Sequence, residues 1–190
     1  MKKKIKLAVI AAVVLAIIVT VFLVLGRGIN PKISSEDLES RILYNKVTNL
    51  ANERYEKEVG VTENKQEVLA TEKSDVKKQL KFDLTVCELC EEKRILLSRY
   101  DAEQTAQAEF SALKENNDIY YNILKEVLKE LDISEEEYFK ALALEAYCKY
   151  NGYTLKTDFE HTGYDSDADE DFDEQYEEYV NDSMAFSLFG

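Results

Sequence analysis

Apolar residues follow two different patterns along the chain. Residues 5–25, IKLAVIAAVVLAIIVTVFLVL, form a nearly unbroken apolar run interrupted only by Lys6 and Thr20. Beyond residue 33 apolar positions recur at helical spacing with charged residues between them. Ser34 and Ser35 are suited to capping a helix, Ser34 with Asp37 resembles a capping box, and Leu38, Ile42, Leu43, Val47, Leu50 and Ala51 follow. A first helix is expected over 35–58, ending at Gly60.

The chain can restart at Thr62, and Leu69, Val76, Leu80, Leu84, Cys87, Cys90 and Leu97 suggest one long helix with a break near Ser74. A weaker stripe of Ala102, Ala106, Phe110 and Leu113 runs to the Asn116, Asn117, Asp118 cluster. Tyr120, Ile123, Leu124, Val127, Leu128 and Leu131 then make the cleanest amphipathic face. Ser134 through Glu137 read as a full capping box, and Phe139, Leu142, Ala143, Ala146, Tyr147 and Tyr150 line the next helix. Asn151 and Gly152 look like its left-handed stop, so 119–151 reads as a helical hairpin. With Pro31 the only proline, nothing else breaks these helices.

Residues 7–25 are long enough to span a bilayer at about 1.5 Å per residue and longer than the core of a typical cleaved leader. Met1 followed by three lysines looks bacterial, and the positive flank puts the N-terminus in the cytoplasm. The expected fold is therefore all-α. It has a single N-terminal transmembrane signal-anchor over 1–28, an extracytoplasmic multi-helix domain over 33–155, and an acidic, largely irregular C-terminal tail over 156–190. The expected location is the cell membrane, single-pass, with 27–190 outside.

Charge sharpens that division. Of 38 acidic and 24 basic residues, 12 acidic and no basic ones fall in 157–190, so the net charge of −14 belongs mostly to the tail. Such a surface gains nothing from counterion release on nucleic acid, and no nucleic-acid partner is expected.

Three sequence segments occur in the order of a known family. Ile33, Ser34, Ser35, Glu36, Asp37 and Leu38 come first, then 89–97 (LCEEKRILL), then 131–138 (LDISEEEY). They resemble the N-terminal helical domain of SurA/PrsA-type extracytoplasmic chaperones and foldases, with its "I-S/T-x-E-E-L", "L-I-x-E-K-L-L" and "L/I-S-E-E-E-F/Y" patterns. The matches cover most of 33–151. Ile29, Asn30 and Pro31 replace the family's "V-N-G" lead-in, and its "G-I-x-V" segment is missing after Tyr100. The 39 residues after Asn151 are too few for a parvulin domain, so isomerase activity is not implied. The resemblance implies a cradle of helices that binds unfolded or secreted polypeptides, or another cell-envelope protein, through amphipathic surface. Among the twelve tyrosines and eight phenylalanines, Tyr120, Tyr138, Phe139, Tyr147 and Tyr150 are the candidate peptide-binding residues; core packing is the competing role for each.

Two other clusters carry candidate chemistry. Cys87 and Cys90 have redox spacing but lie within a helical stripe and lack a nearby proline. They read as small core residues, with a disulfide involving Cys148 as the rival. Asp165, Asp167, Asp169, Asp171 and Asp173 alternate as in a calcium loop, but Glu170 stands where the loop needs glycine and Tyr176 where it needs glutamate. Weak Ca2+ association and a solvated, disordered acidic run remain as its two readings. His161, expected in a mobile linker, gives a nucleophilic centre no rigid support, and no enzyme and no other cofactor are expected. The functional readings are thus a membrane-anchored, chaperone-like binder and a membrane-tethered interaction or structural protein without chaperone activity.

Overall fold

The computed structural model describes residues 29–60, 68–116, 119–166 and 171–185, and among them the chain is all-helical. Helix α1 is Ser35–Val59, α2 Lys73–Glu92, α3 Arg99–Glu115, α4 Ile119–Glu130, α5 Glu135–Thr162 and α6 Phe172–Ala185. The described residues fall into two compact units: Pro31–Tyr164, holding α1 to α5, and a second holding α6 with Ile29 and Asn30. No helix among the described residues is long and apolar enough to cross a membrane, and the apolar run 5–25 lies outside the described residues.

Local chemistry sets most of the helix ends. The Ser34 hydroxyl accepts the Asp37 N–H at 2.9 Å, and Glu36 and Asp37 sit where the helix terminus is electropositive. Helix α1 stops at Gly60, whose φ of 74° suits a residue without Cβ and whose N–H reaches the Glu56 carbonyl. Ser98 caps α3 through the Asp101 N–H. Ser134 and Glu137 form the reciprocal capping box that the sequence promised for α5. The α4–α5 turn places Asp132 at φ 55° and returns the Ile133 N–H to the Leu128 carbonyl. Both helices expected over 119–151 and the short turn between them are present, but α4 packs on α1 rather than along α5.

Helix α5 is the axis of the larger unit, packing against α1, α2 and α3. Val47 and Ala51 of α1, Phe110 of α3, Ile123, Leu124, Val127 and Leu128 of α4, and Tyr138 of α5 make one core cluster. Leu38, Val76, Leu80, Leu84, Leu144 and Cys148 make a second, between α1, α2 and α5. The third is built from alanines: Ala102 and Ala106 of α3 against Ala146 of α5, small side chains that let the two helices approach closely.

The expected helical stripe from Leu69 to Leu97 is too long at both ends, for one physical reason. Leu69 precedes α2, and its N–H and carbonyl both bond the Asn49 side chain, at 2.9 and 2.8 Å. Leu97 follows α2, and Asn151 holds it the same way, at 2.8 and 3.1 Å. An asparagine amide offers a donor and an acceptor side by side, so it pairs with one residue's main chain as a neighbouring strand would. Asn45 adds a bond to the Ala70 carbonyl at 2.6 Å. The leucines belong to the core pattern without belonging to the helix.

The expected stop at Asn151 and Gly152 is also overturned, because α5 continues to Thr162 and caps at Gly163. Asn151 is fully buried inside α5, and the stripe of Leu144, Cys148, Asn151, Leu155 and Phe159 runs straight through it. The compact unit therefore extends past residue 155, and His161 lies in the last turn of a helix rather than in a mobile linker.

The acidic end is not largely irregular either. The Asp171 carboxylate accepts the Glu174 N–H at 3.0 Å and starts α6. The Gln175 side chain bonds both the N–H and the carbonyl of Asp165, at 3.0 and 2.8 Å, and the Ile29 N–H bonds the Ser183 carbonyl at 2.9 Å.

A Cβ added at Gly152 meets nothing within 4 Å, and Gly152 does not carry the left-handed φ that Gly60 does. Gly152→Ala is therefore expected to stabilise the protein by about 0.5–1 kcal/mol in urea unfolding. A helix that ended here on a left-handed glycine would give the opposite sign.

Candidate functional site

The larger unit carries a groove of about 280 Å³ where the first turns of α1 and α3 lie along the first half of α5. Phe139, Ala143, Leu144 and Tyr147 of α5 line it, with Glu36, Asp37 and Ser40 from α1 and Arg99 and Glu103 from α3. Phe139 and Tyr147 are eight positions apart on one helix and both are half-buried. Arg99 sets the groove's electrostatics. Its guanidinium donates to both Asp37 carboxylate oxygens, at 3.1 and 3.4 Å, and lies 4.9 Å from the centre of the Tyr147 ring. Lys140 of α5 also lines the groove and pairs with Glu136 at 3.0 Å. Burial, then the Cys87 thiol beneath it, raise the Tyr147 phenol well above its ordinary pKa, so the phenol stays neutral, with its hydroxyl engaged by Cys87.

The five candidate peptide-binding residues are not brought together. Phe139 and Tyr147 line the groove. Tyr138 is buried in the core, stacked on Tyr44 with ring centroids 6.3 Å apart. Tyr120 donates to Asn52 at 3.0 Å and meets Tyr55 edge-on, and burial, with the Tyr44 phenol nearby, pushes its pKa up to about 12. Tyr150 donates to Glu109 and faces Tyr153. Three of the five are thus occupied with holding helices together, and Phe139 and Tyr147 pack against the core clusters as well as lining the groove.

The acidic series is divided as well. Asp167 and Asp169 lie outside the described residues, Asp171 caps α6 and Asp173 lies in the first turn of α6. Among the described residues no group of three or more His, Cys, Asp or Glu side chains is arranged to hold a metal ion. Cys87, Cys90 and Cys148 are all buried free thiols.

A second recess, of about 250 Å³, holds residues the sequence reading passed over. Arg41 of α1 is only 5% exposed, with Asp83 of α2 at 2.9 Å and Glu145 of α5 at 2.6 Å. Arg41 Nε has no hydrogen-bond partner, so the guanidinium's place rests on charge. The signal was present in the chain: Arg41 is a cation three positions after Leu38, on the face that carries the apolar stripe. Lys149 and Lys156 stand at the rim. Burial raises the Asp83 pKa to about 6; Arg41 opposes the shift and Glu145 adds to it. One guanidinium serves two carboxylates, so the second carboxylate is left with too little compensation.

Comparison with family models, with curated proteins and with solved structures finds no match to this chain.

The raised Asp83 pKa has a definite sign. A carboxylate with a higher pKa in the folded than in the unfolded state contributes stability that is full below about 3.8 and lost as pH rises through about 6. The loss amounts to about 2–3 kcal/mol. Urea unfolding from pH 4 to 7 is expected to show Asp83→Asn losing less stability than the wild type over that window. Parallel curves for the two chains would refute the assignment. Arg41→Ala leaves both acids without their cation and is expected to cost about 3–5 kcal/mol at pH 7.

Proposed function

We propose that this protein is a membrane-tethered, extracytoplasmic interaction module that binds a polypeptide segment in the groove between α1, α3 and α5. The observation that carries this reading is the pairing of Phe139 and Tyr147 in one groove with charged residues of both signs around them. Half-buried aromatic rings give apolar contact at little entropic cost, and the charged walls can set register and orientation. The tether rests on the apolar run 5–25.

Arg99 is committed to Asp37 and Lys140 to Glu136, which leaves Glu36 and Glu103, both exposed, to set the sign of the groove. The favoured segment therefore combines an apolar side chain with a lysine or arginine. This narrows the chaperone-like reading from unfolded chains in general to segments of that composition. The large exposed apolar residues Val59, Val68, Tyr100, Ile119, Tyr153 and Tyr164 are scattered over several elements and supply no second apolar patch among the described residues. That scatter favours, as the second reading, a structural protein that uses its helices without binding clients.

Fluorescence anisotropy with short peptides separates the two. The full chain is expected to bind basic-apolar peptides more tightly than acidic-apolar ones of equal length, with affinity falling as salt rises. Glu36→Lys with Glu103→Lys is expected to weaken the basic peptides at least about fivefold while leaving the fold intact, since both side chains are exposed. Equal binding of both peptide classes before and after the charge reversal would remove the groove from the proposal. No binding at all, together with no delay in aggregation of an unfolded client, would leave the structural reading.

A further inference from the structure

Gly152 lies in the interior of α5, where neither a left-handed turn nor close packing calls for glycine, since a Cβ built on it meets nothing within 4 Å. What its bare backbone does border is the recess of about 250 Å³ beside Arg41. Glycine here weakens the helix and leaves that recess open. Lys149, Gly152, Tyr153 and Lys156 all line it, at positions i, i+3, i+4 and i+7 of α5, so one helix face presents two ammonium groups with a gap between them.

The recess is basic in a protein that is acidic. Arg41, Lys149 and Lys156 line it against two carboxylates, Asp83 and Glu145, although the whole chain carries a net charge of −14. Both carboxylates lie against Arg41, at 2.9 and 2.6 Å, yet the Nε and one Nη of this 5% exposed guanidinium make no hydrogen bond. Lys149 lies over the Tyr150 and Tyr153 rings, at 5.5 and 6.0 Å from their centres, rather than against a carboxylate. The arrangement thus combines a buried guanidinium with unused donors, exposed ammonium charge and open space, which together suit an anion.

We propose that this recess binds a small phosphate-class anion, inorganic phosphate or a compact phosphate monoester, between Lys149 and Lys156 over Gly152. The site shares no lining residue with the groove and does not depend on peptide binding there. Phosphate is favoured over carboxylate by the donors. Ammonium groups act as point charges and suit a tetrahedral oxyanion approached from several sides, whereas a planar carboxylate is best matched by a guanidinium fork, and Arg41 already has Asp83 and Glu145 against it. The exposed Tyr153 hydroxyl and the Gln79 amide of α2 add neutral donors at the same recess. Its volume is below the roughly 300–1,000 Å³ of sites for drug-sized molecules, which limits any organic part of the ligand to a few atoms. Asp83 and Glu145 oppose the anion and keep its affinity modest.

The test titrates inorganic phosphate into the full chain, held in a neutral detergent at pH 7, by isothermal calorimetry, with sodium chloride and sodium acetate at equal ionic strength beside it. One phosphate per chain is expected, with a Kd on the order of 1 mM that rises with added salt. Lys149→Ala with Lys156→Ala is expected to weaken binding at least about tenfold. Gly152→Leu, which fills the recess from a position with room for a side chain, is expected to weaken it as much, while circular dichroism shows the helices retained. Asp83→Asn removes an opposing charge and is expected to tighten binding about threefold or more. Should Gly152→Leu lose its helices, the lysine pair decides the matter, because Lys149 is exposed and Lys156 only part-buried. Heats from phosphate no larger than those from chloride, or phosphate binding unchanged by the lysine substitutions, would overturn the site. Acetate bound as tightly as phosphate would overturn the ligand class.

Discussion

Helix α5 has to be enclosed on three sides at once, and the rest of the larger unit follows from that constraint. A helix with one apolar face needs one partner; α5 takes α1, α2 and α3. It therefore presents different chemistry in different directions: Tyr138 to the cluster with α1 and α4, Leu144 and Cys148 to α2, and Ala146 to the small side chains of α3. Polar residues on such a helix are enclosed along with the apolar ones. Glu145 is drawn into a nearly buried ion pair and Asn151 is buried completely. Each then needs a partner inside the protein, since an unmet polar group there costs about 1–3 kcal/mol.

Those partners do the work of positioning. Arg41 lies against one carboxylate from α2 and one from α5, and a buried charge that tolerates few arrangements sets how the three helices register more than how strongly they adhere. Asn151 holds the main chain of Leu97, the last residue before the Ser98 cap of α3. The start of α3 is thereby fixed against the middle of α5. Asn49 does for Leu69, ahead of α2, what Asn151 does for Leu97. Apolar burial supplies the cohesion, while a few enclosed polar groups choose one packing among those of similar apolar area.

This division of labour explains what could be read from the chain. The capping serines at 34 and 134, the short α4–α5 turn and the alanine stripe of α3 were legible because each is a local signal, decided within one or two helical turns. The course of α5 beyond Tyr150 was not. Asn151 followed by Gly152 is a good local stop, and only the main chain of Leu97, 54 positions away, gives the asparagine a reason to stay in the helix. Leu69 and Leu97 misled in the complementary way, carrying the apolar rhythm of α2 while bonded to asparagines from other helices. Of the candidate site, the residue types were legible and the grouping was not. Phe139 and Tyr147 share a groove because α1 and α3 both begin beside them, whereas Tyr138, adjacent in sequence to Phe139, points into the core.

The groove is itself a product of the same enclosure. Helices α1 and α3 both start on serine caps, and both place acidic residues in their first turns, where helix ends favour them. Bringing the two starts together against α5 gathers those carboxylates at one place, and Arg99 answers by bridging from α3 to Asp37 of α1. Its guanidinium is then held over Tyr147, whose hydroxyl is hydrogen-bonded to Cys87 beneath. One side chain of α5 thus touches the groove at its ring and the Cys87 thiol of α2 at its tip. A segment seated in the groove would therefore press on a residue whose position is set by the packing of α2 against α5, so the stiffness of that packing governs how far the groove can adapt.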